Sequence, residues 1–407
     1  MGFFNGKNHA DEPGSNPPCK AKTLVHLCTV DISLVHLLQT ELLEAKANGW
    51  RVVTVSGPGE NAERLKQMGF EHHVISSLGR GKPGISDARA AAQLFRLWRQ
   101  LQPSVVHTHT PKAGVLGRIT SRLAGVPIVV NTCHGLTATE HSSALTRTAV
   151  CFAEGLASRF SDAELFQNPE DLSTLGPWMK RRFRKKQLPQ VSVVGNGTDL
   201  TAFCFDETDR ARVRLECGVA DGEVLIVGVG RRVAEKGILE FAEAAESLKR
   251  ANANAQFVWV GPEEPGKADA VPMRPVNLSG AVLELGGRSD MRAVYSAADV
   301  FVLPSHREGF PRSAMEAAAC GRPLVLTDIR GCREIGVDGR DLLFVRLKDS
   351  SDLAAKIARL VDSPELRGNL GEAALRRAHE AFDQRKTASK SRNAYQKVGR
   401  SKNIVAN

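Results

Sequence analysis

The sequence predicts an α/β protein of two Rossmann-like, doubly wound domains, whose parallel sheets face each other across a cleft. Three observations support this fold class. Apolar strand-like runs alternate with amphipathic helix-like runs from residue 23, and the alternation restarts after a polar stretch at 197–222. The chain has 407 residues, which is enough for two cores. Only 5% of the residues are aromatic, and aliphatic cores suit parallel sheets covered by helices on both faces.

The first half follows a polar lead-in and contains repeated strand–helix units. We expect residues 1–21 to be disordered, because they are rich in Gly, Pro, Asn and charged residues. The strand candidates are TLVHLCTV, RVVTVSG, HHVIS, SVVHTHT, PIVVNTCHG, DAELFQN and QVSVVGNG. Helical patterns separate them, and such units predict right-handed crossovers in a parallel sheet. We therefore predict a first domain at 22–199.

The second half repeats this pattern after a predicted linker at 197–222. Its strand candidates are EVLIVGVG, QFVWVG, AVLELGG, DVFVLPS, PLVLTD and LLFVRL. The tail beyond Asp352 reads as successive helices. These signals predict a second domain at 200–385 and a C-terminal helix and tail at 386–407. Because ligands of doubly wound sheets lie beyond the carboxyl ends of the strands, the cleft is the predicted site.

Composition limits the class of protein and its compartment. No apolar run approaches the roughly 20 residues that span a bilayer, and the N-terminus lacks the apolar stretch of a signal peptide. The eight cysteines form no CxxC pair and mostly lie in apolar surroundings, as reduced thiols do. We therefore expect a cytoplasmic protein. Its formal net charge of +10 favours an anionic partner, which is a nucleic acid, a membrane or a phosphorylated substrate.

The segment 305–321 places two carboxylates around the start of a predicted helix. It follows the strand DVFVLPS, and Pro311 suits the first helical position. Free backbone amides at this helix N-terminus would bind a diphosphate. Those amides belong to Phe310, Arg312 and Ser313. Glu308 lies before the helix and Glu316 inside it, with seven residues between them, and both can accept hydrogen bonds from sugar hydroxyls.

A second segment, 227–237, carries two cations at the end of a strand. The strand EVLIVG runs into a turn with Arg231 and Lys236. Cations in this place can hold a diphosphate leaving group. Gly228 and Gly230 are expected to let the backbone approach a ligand closely. The full GxGxxG fingerprint is absent, because a valine replaces its third glycine.

Together the two segments closely resemble the retaining GT-B glycosyltransferases of the large bacterial family that builds polysaccharides, glycolipids and lipid-linked oligosaccharides. The E-x7-E motif of that family is matched by Glu308 and Glu316, and its G-R-x4-K-G motif by 230–237. The resemblance runs from about residue 23 to 385. It implies a GT-B fold, an acceptor-binding first domain and a second domain that binds a nucleotide sugar, with UDP the expected carrier.

The resemblance also implies roles for individual residues. His134, in the segment NTCHG, matches the active-site histidine of the family, and Glu308 would contact the donor sugar. Arg231 and Lys236 would hold the diphosphate, Glu316 would bind the ribose, and backbone near Arg288 would read the base. The residues expected to bind the donor are Arg231, Lys236, Arg288, Gly309, Phe310, Arg312 and Glu316.

No metal and no cofactor are expected. His107 and His109 are predicted to point to opposite faces of their strand. With His134 they could hold a metal, but no carboxylate or thiolate is placed to complete such a site, and a hydrogen-bonded core residue is the simpler interpretation of His107. Cations and a helix N-terminus would neutralise the leaving diphosphate instead. Since no enzymic nucleophile is evident, the resemblance implies a same-face displacement guided by the leaving phosphate.

A basic segment near residue 180 predicts contact with an anionic membrane surface. Six of the seven residues from Lys180 to Lys186 are basic, and apolar residues lie beside them. Each basic residue near an anionic leaflet contributes about 1 kcal/mol, and aromatic rings add anchoring. The expected contact residues are Trp178, Lys180, Arg181, Arg182, Phe183, Arg184, Lys185 and Lys186. The protein would then lie on the inner face of the cytoplasmic membrane. A solvated charge run is the alternative.

The segments HTHTPKAG, CHG, FQNPEDL, NGTDL and EGFPRSAMEA resemble enzymes that act on undecaprenyl-diphosphate-linked sugars in O-antigen, capsule or exopolysaccharide assembly. The predicted reaction is transfer of a hexose or N-acetylhexosamine from a UDP-sugar to such a saccharide, with retention. One alternative is a UDP-sugar 2-epimerase on the same fold, which the paired glutamates disfavour. The other is a nucleic-acid-binding or scaffold protein. Aromatic residues interleaved with basic ones are confined to one short segment, so no nucleic-acid partner is expected.

Overall fold

A computed structural model describes residues 22–79, 81, 84–138, 142–180, 188–267, 269–271 and 280–402, which form two parallel sheets. The first sheet has the order β3-β2-β1-β4-β5-β6-β7. Its strands are β1 (Thr23–Leu27), β2 (Arg51–Ser56), β3 (Glu71–Val74), β4 (Val105–His109), β5 (Ile128–Cys133), β6 (Ala163–Phe166) and β7 (Gln190–Val193). The predicted disordered segment 1–21 lies outside the described residues.

The second sheet has the order β10-β9-β8-β11-β12-β13, and every pairing in both sheets is parallel. Its strands are β8 (Val224–Val229), β9 (Ala255–Val260), β10 (Val282–Glu284), β11 (Val300–Leu303), β12 (Leu324–Thr327) and β13 (Leu343–Val345). The strand order reverses direction between β1 and β4 and again between β8 and β11. These are the switch points where doubly wound folds bind ligands. The predicted architecture of two Rossmann-like domains is confirmed.

Helices cover the first sheet. They are α1 (Asp31–His36), α2 (Gln39–Ala47), α3 (Ala62–Gln67), α4 (Ile85–Leu101), α5 (Pro111–Leu123), α6 (Ala144–Ala157) and α7 (Pro169–Lys180). Local signals set several of their ends. Ser143 caps α6 by accepting a hydrogen bond from the backbone N–H of Thr146. Helix α4 ends at Gln102, whose positive φ of 45° stops the helix just before Pro103.

The helices around the second sheet include one that falls within the predicted linker. They are α8 (Glu207–Glu216), α9 (Ile238–Arg250), α10 (Met291–Ala297), α11 (Arg312–Ala319), α12 (Ser350–Asp362) and α13 (Pro364–Ala381), and a further helix, α14 (Gln384–Ser401), returns to the first sheet. Helix α8 lies inside 197–222, so the expectation of a linker throughout this stretch was wrong. The helix is polar because it lies on the surface, where Arg210 and Arg214 anchor it to Asp299 at the start of β11. The successive helices predicted for the tail are confirmed.

Within the described residues, the chain crosses between the two halves twice, and the two crossings are bonded to each other. The first crossing follows β7, and the second joins α13 to α14. The backbone N–H of Thr198 donates to the carbonyl of Phe382 at 2.8 Å, and that of Gln384 donates back to Thr198 at 3.1 Å. Helix α14 then packs on the first sheet, where Tyr395 and Val398 join a core with Leu24 and Val105.

Candidate active site in the cleft

A cavity of about 310 Å³ lies between loops that follow strands of both sheets. The first half lines it with residues after β4 and β5, including His134. The second half lines it with Lys236, which follows β8, and with Glu308 and Gly309, which follow β11. Four residues predicted from three separate motifs therefore meet in one cavity at the carboxyl ends of the two sheets.

Three glycines let the loops of the two halves interlock beside the cavity. A Cβ on Gly309 would lie 2.1 Å from the carbonyl oxygen of His134, and one on Gly135 would lie 2.7 Å from the Cα of Gly309. A Cβ on Gly331 would meet the carbonyl of Gly309 at 2.6 Å. Gly135 and Gly331 also have φ values of 117° and 85°, which favour glycine. The backbone beside His134 is thus pressed directly against the backbone beside Glu308.

Lys236 and Glu308 form an ion pair across the second half of the cavity. Lys236 Nζ donates to Glu308 Oε1 at 2.6 Å, and both side chains are largely buried. Lys236 precedes Gly237, whose φ of 75° ends a short 3₁₀ turn and whose Cα packs against the backbone of Pro304. The turn therefore fixes the lysine at the strand end, where its charge faces the cavity.

Arg231 is also held by a carboxylate. Its Nη1 pairs with Glu264 in the loop that follows β9. The neighbouring Arg232 is buried, donates to the carbonyl of Val271 at 2.7 Å and pairs with Glu284. Arg232 thus anchors the same loop, while Arg231 keeps about a third of its side chain exposed.

Glu316 lies in α11 and is nearly enclosed. Tyr295 in α10 donates its hydroxyl to Glu316 Oε2 at 2.9 Å, and Arg312 Nε lies 3.6 Å from Oε1. Burial raises the pKa of Glu316, although the Arg312 charge and the Tyr295 hydrogen bond oppose this. Arg312 also donates to the carbonyl of His36 in the first half. Sequence reasoning missed Tyr295, because nothing in its own segment marks it.

The other predicted donor residues lie on neighbouring elements. Arg288 follows β10, and its guanidinium pairs with Asp290 and with Glu216 of α8. Phe310 is partly buried, and its ring packs edge-on against Phe382 at 5.9 Å. Pro311 was predicted to occupy the first helical position, but it caps α11 from just outside the helix.

His134 is the outer member of a buried chain of three imidazoles. Its Nε2 is joined to His109 Nδ1 at 2.9 Å, and His109 Nε2 is joined to His26 Nδ1 at 3.0 Å. Burial lowers the pKa of His134 to about 4 and that of His26 to about 3, and it lowers the pKa of His109 as well. At neutral pH all three rings are uncharged, so each bond joins one protonated and one unprotonated nitrogen. The tautomer of His134 is therefore coupled to that of His26.

The prediction that His107 and His109 point to opposite faces was wrong. Their ring centroids are 4.0 Å apart, because residues two apart on a strand share a face. His26, His107 and His109 each place a nitrogen close enough to share a metal ion. However, His107 already bonds Tyr395 at 2.6 Å and Thr132 at 2.7 Å, so hydrogen bonds use both of its nitrogens. The geometry fits the predicted hydrogen-bonded core residue.

A carboxylate and a tyrosine lie behind this cluster. Glu41 Oε1 lies 3.3 Å from His107 Nδ1 and accepts a hydrogen bond of 3.0 Å from the hydroxyl of Tyr395. Burial favours the neutral form of Glu41, but the hydrogen bonds from His107 and Tyr395 and the neighbouring imidazoles together outweigh it and lower the pKa of Glu41 to about 2. Since Tyr395 lies in α14, the last helix of the chain completes the packing behind His134.

Arg330 binds the two halves together below the cavity. It follows β12 and donates to the carbonyls of Leu136 at 2.7 Å and Ala138 at 3.2 Å. Its Nη1 also lies 3.0 Å from the fully buried carboxylate of Asp171 in α7. Asp171 Oδ2 in turn accepts from the backbone N–H of Leu136 at 3.2 Å. The arginine therefore holds the loop that carries His134 against the second half.

The predicted membrane segment is described only at its start. Trp178 is half-buried against Gly155 of α6, and Lys180 is exposed at the end of α7. Arg181, Arg182, Phe183, Arg184, Lys185 and Lys186 lie outside the described residues. Among the described residues, no helix is both long and apolar enough to cross a bilayer.

Comparison with known proteins identifies the family. Residues 40–197 match the model of the glycosyl transferase 4-like domain, and residues 223–363 match that of glycosyl transferases group 1. The UDP-Gal:alpha-D-GlcNAc-diphosphoundecaprenol alpha-1,3-galactosyltransferase of Escherichia coli is 30% identical over 297 residues, which cover 72% of this chain and 75% of the relative. The Staphylococcus aureus capsular polysaccharide biosynthesis glycosyltransferase CapM is 24% identical over 373 residues, which cover 89% of this chain and 94% of the relative.

Solved structures share the fold over nearly the whole chain. Sucrose-phosphate synthase from Thermosynechococcus elongatus superimposes with a TM-score of 0.78 at 19% identity, covering 93% of this chain and 100% of the other. Anabaena HepE in complex with UDP superimposes with a TM-score of 0.74 at 20% identity, covering 92% and 100%. The chain therefore belongs to the group 1 glycosyl transferases and is a glycosyltransferase with the two-domain GT-B fold.

Proposed function

We propose that this glycosyltransferase moves a hexose or N-acetylhexosamine from a UDP-sugar to a saccharide on undecaprenyl diphosphate, with retention of the anomeric configuration. The observation that carries the proposal is the Lys236–Glu308 pair, which faces His134 in one cavity. This arrangement provides a cation for a leaving diphosphate, a carboxylate for a donor sugar and a neutral imidazole beside them.

The nature of the donor is supported by charge and by relatives. Arg231 and Lys236 follow the same strand, and a doubly charged leaving group between them would exchange with their present partners, Glu264 and Glu308. The N-terminus of α11 adds backbone donors close by. HepE binds UDP on the same fold, and the Escherichia coli relative uses UDP-galactose. These observations favour UDP as the carrier.

The chemistry of the cavity residues supports the proposed retention. His134 is neutral at physiological pH, so it can donate or accept a hydrogen bond but brings no charge to the sugar. Glu308 is engaged by Lys236, which makes it a weak nucleophile. We therefore propose that the acceptor attacks on the face that the diphosphate leaves, with the departing phosphate oxygen taking the proton of the acceptor. Glu316 would bind the ribose from its enclosed place in α11.

A donor screen tests this proposal. UDP-, GDP- and dTDP-sugars are incubated with the protein, with and without a sugar acceptor, and the released nucleotide and the product are measured. We expect UDP release that an acceptor accelerates, and an NMR coupling constant at the new linkage that shows the anomer of the donor. An inverted anomer contradicts the mechanism. Epimerised UDP-sugar formed without an acceptor contradicts the transferase assignment.

We also propose that the first domain lies against an anionic membrane, which would bring the lipid-linked acceptor to the cleft. Helix α6 exposes Leu145, Phe152 and Leu156 along one face, and Lys180 ends the helix packed beside it. The basic run from Lys180 to Lys186 supplies the charge.

Vesicle sedimentation tests the membrane proposal. The protein should pellet with phosphatidylglycerol vesicles at low salt and should not pellet with phosphatidylcholine vesicles. Replacing Arg181, Arg182, Lys185 and Lys186 with Ser should abolish sedimentation and leave UDP binding intact. Undiminished sedimentation of that variant would show that another surface makes the contact.

A further inference from the structure

Glu154 brings a carboxylate into the cleft that none of the recognised motifs contains. It lies in α6, and it lines the same cavity as His134 and Glu308. Val150, one turn earlier on the helix, lines the cavity as well, so one face of α6 forms part of the wall. Ser143 caps this helix, which fixes its start and therefore the position of that face. The carboxylate thus sits on a rigid element of the first domain.

A fully buried arginine holds Glu154 from behind. Arg118 in α5 pairs with Glu154 on one side and with Glu164 in β6 at 2.9 Å on the other. Its Nε donates to the carbonyl of Gly114 at 2.9 Å. Glu164 is also buried and accepts hydrogen bonds from Ser161 at 2.6 Å and from Asn131 at 2.8 Å. Arg118 therefore needs no second carboxylate for its own neutralisation.

The cluster carries more negative than positive charge. One guanidinium lies between the two carboxylates, Glu154 and Glu164, and only Glu154 reaches the cavity. The two cations that line the cavity among the described residues are engaged elsewhere, since Lys236 pairs with Glu308 and Arg307 with Glu235. The surplus negative charge therefore faces the cavity.

We propose that Glu154 binds a hydroxyl or amide N–H of the acceptor sugar, and that Arg118 and Glu164 position it there. An ionised carboxylate only accepts hydrogen bonds, and sugar hydroxyls are donors that match it. A diphosphate would be repelled by the same surplus charge, so the neutral sugar ring of the acceptor lies at Glu154 and its diphosphate lies farther away. The inference rests on the proposed function, because it assumes a sugar acceptor in the first half of the cleft.

The variants follow from the cluster. Glu154→Gln keeps the shape of the side chain and leaves Arg118 paired one to one with Glu164, so the protein should fold. Glu154→Asp keeps the negative charge but shortens the side chain by one methylene, which moves the carboxylate away from the cavity. Glu63→Gln, at an exposed carboxylate of α3 in the same domain, serves as the matched control.

Kinetics with two forms of one acceptor sugar make the test. The sugar is offered as its methyl glycoside and as a diphosphate ester with a short alkyl chain. Glu154→Gln should raise the acceptor KM about ten- to hundredfold for both forms, with donor hydrolysis and melting temperature unchanged. Glu154→Asp should recover part of the loss, and Glu63→Gln should behave as wild type.

Three outcomes would overturn the inference. They are an unchanged acceptor KM, an effect seen with the diphosphate ester alone, and a loss of donor hydrolysis in the folded variant. If the wild-type protein neither transfers nor hydrolyses a nucleotide sugar, the proposed function itself fails. Because this measurement uses the wild-type protein alone, it is distinct from a failure of the Glu154 inference.

Discussion

The polar groups on the two sides of the cleft differ in charge and in the way they are held. On the second-domain side, Lys236 and Arg231 are charged, and each is held by a carboxylate. On the first-domain side, His134, His109 and His26 are uncharged because burial disfavours the imidazolium form. A charged group must exchange its partner when the substrate arrives, whereas a neutral hydrogen-bonded chain needs no exchange. The charged groups of the second domain suit an anionic ligand, and the uncharged histidine chain of the first domain suits neutral hydroxyls.

The largest expected effect comes from removing the cations. Arg231→Ala and Lys236→Ala should each lower kcat by on the order of a hundredfold or more, because donors aimed at developing charge contribute about 2.7–4 kcal/mol. Steady-state kinetics with saturating donor measure this. Arg376→Ala, an exposed cation of α13, is the control. Wild-type turnover in either cleft variant would mean that the substituted residue does not hold the diphosphate.

The next effect concerns the enclosed carboxylate of α11. Glu316→Gln should weaken UDP binding about tenfold or more, because a hydrogen bond to a charged group contributes about 1.5–3 kcal/mol. Calorimetric titration with UDP gives the affinity, and Glu372→Gln on the exposed face of α13 should leave it unchanged. Equal affinity in a folded Glu316 variant would contradict the ribose assignment. Glu316 would then serve only to bind Tyr295 and Arg312 within the second domain.

The buried histidine chain of the first domain should affect stability in acid. Burial lowers the pKa of His26 from 6.5 to about 3 and that of His134 from 6.5 to about 4. Between pH 6.5 and these lowered values, the unfolded chain therefore binds more protons than the folded protein. Their contribution is present above pH 6.5 and is lost as the pH falls towards 4. The free energy of unfolding should drop by up to about 1.4 kcal/mol per pH unit for each ring.

Urea denaturation at several pH values checks this loss of stability. His26→Gln should flatten the slope below pH 6.5, and His379→Gln, at an exposed histidine of α13, should not. If the free energy of unfolding of His26→Gln falls with pH as steeply as that of the wild type, the buried His26 ring does not cause the loss of stability.

The smallest expected effect is that of chelation. With Arg231 and Lys236 as the proposed diphosphate ligands, and with both nitrogens of His107 and of His109 in hydrogen bonds, activity should change by less than a factor of two in EDTA. Turnover before and after extensive dialysis against EDTA measures this. A complete loss of activity that Mn²⁺ restores would show that a metal ion, and not Arg231 and Lys236, neutralises the leaving diphosphate.

The sequence predicted the positions of the second-domain cavity residues better than those of the first domain. Lys236, Glu308 and Gly309 could be placed because each follows a strand of one parallel sheet, and such strand ends share an edge. Gly228 shows the limit of that reasoning. It was expected to face a ligand, yet a Cβ there would meet the ring of Trp259 at 2.5 Å, so the glycine makes room for a side chain of the next strand.

The supporting residues could not be predicted, because they join distant segments. Tyr395 reaches His107 across 288 residues, and Arg330 reaches Leu136 across 194. Tyr295 and Glu316 meet only because α10 and α11 pack together. No local period or spacing marks these contacts. They arise when the last helix returns to the first sheet and when the two halves close on each other.

The paired crossings between the halves set how the enzyme can move. Because Thr198 is bonded to the backbone on both sides of Asp383, the two connections form one short ribbon. The two segments are closely packed, since a Cβ on Gly197 would lie 2.6 Å from the Cα of Gln384. Any opening of the cleft must therefore bend both connections together, while the contacts of Arg330 with Leu136 and Ala138 hold the closed form.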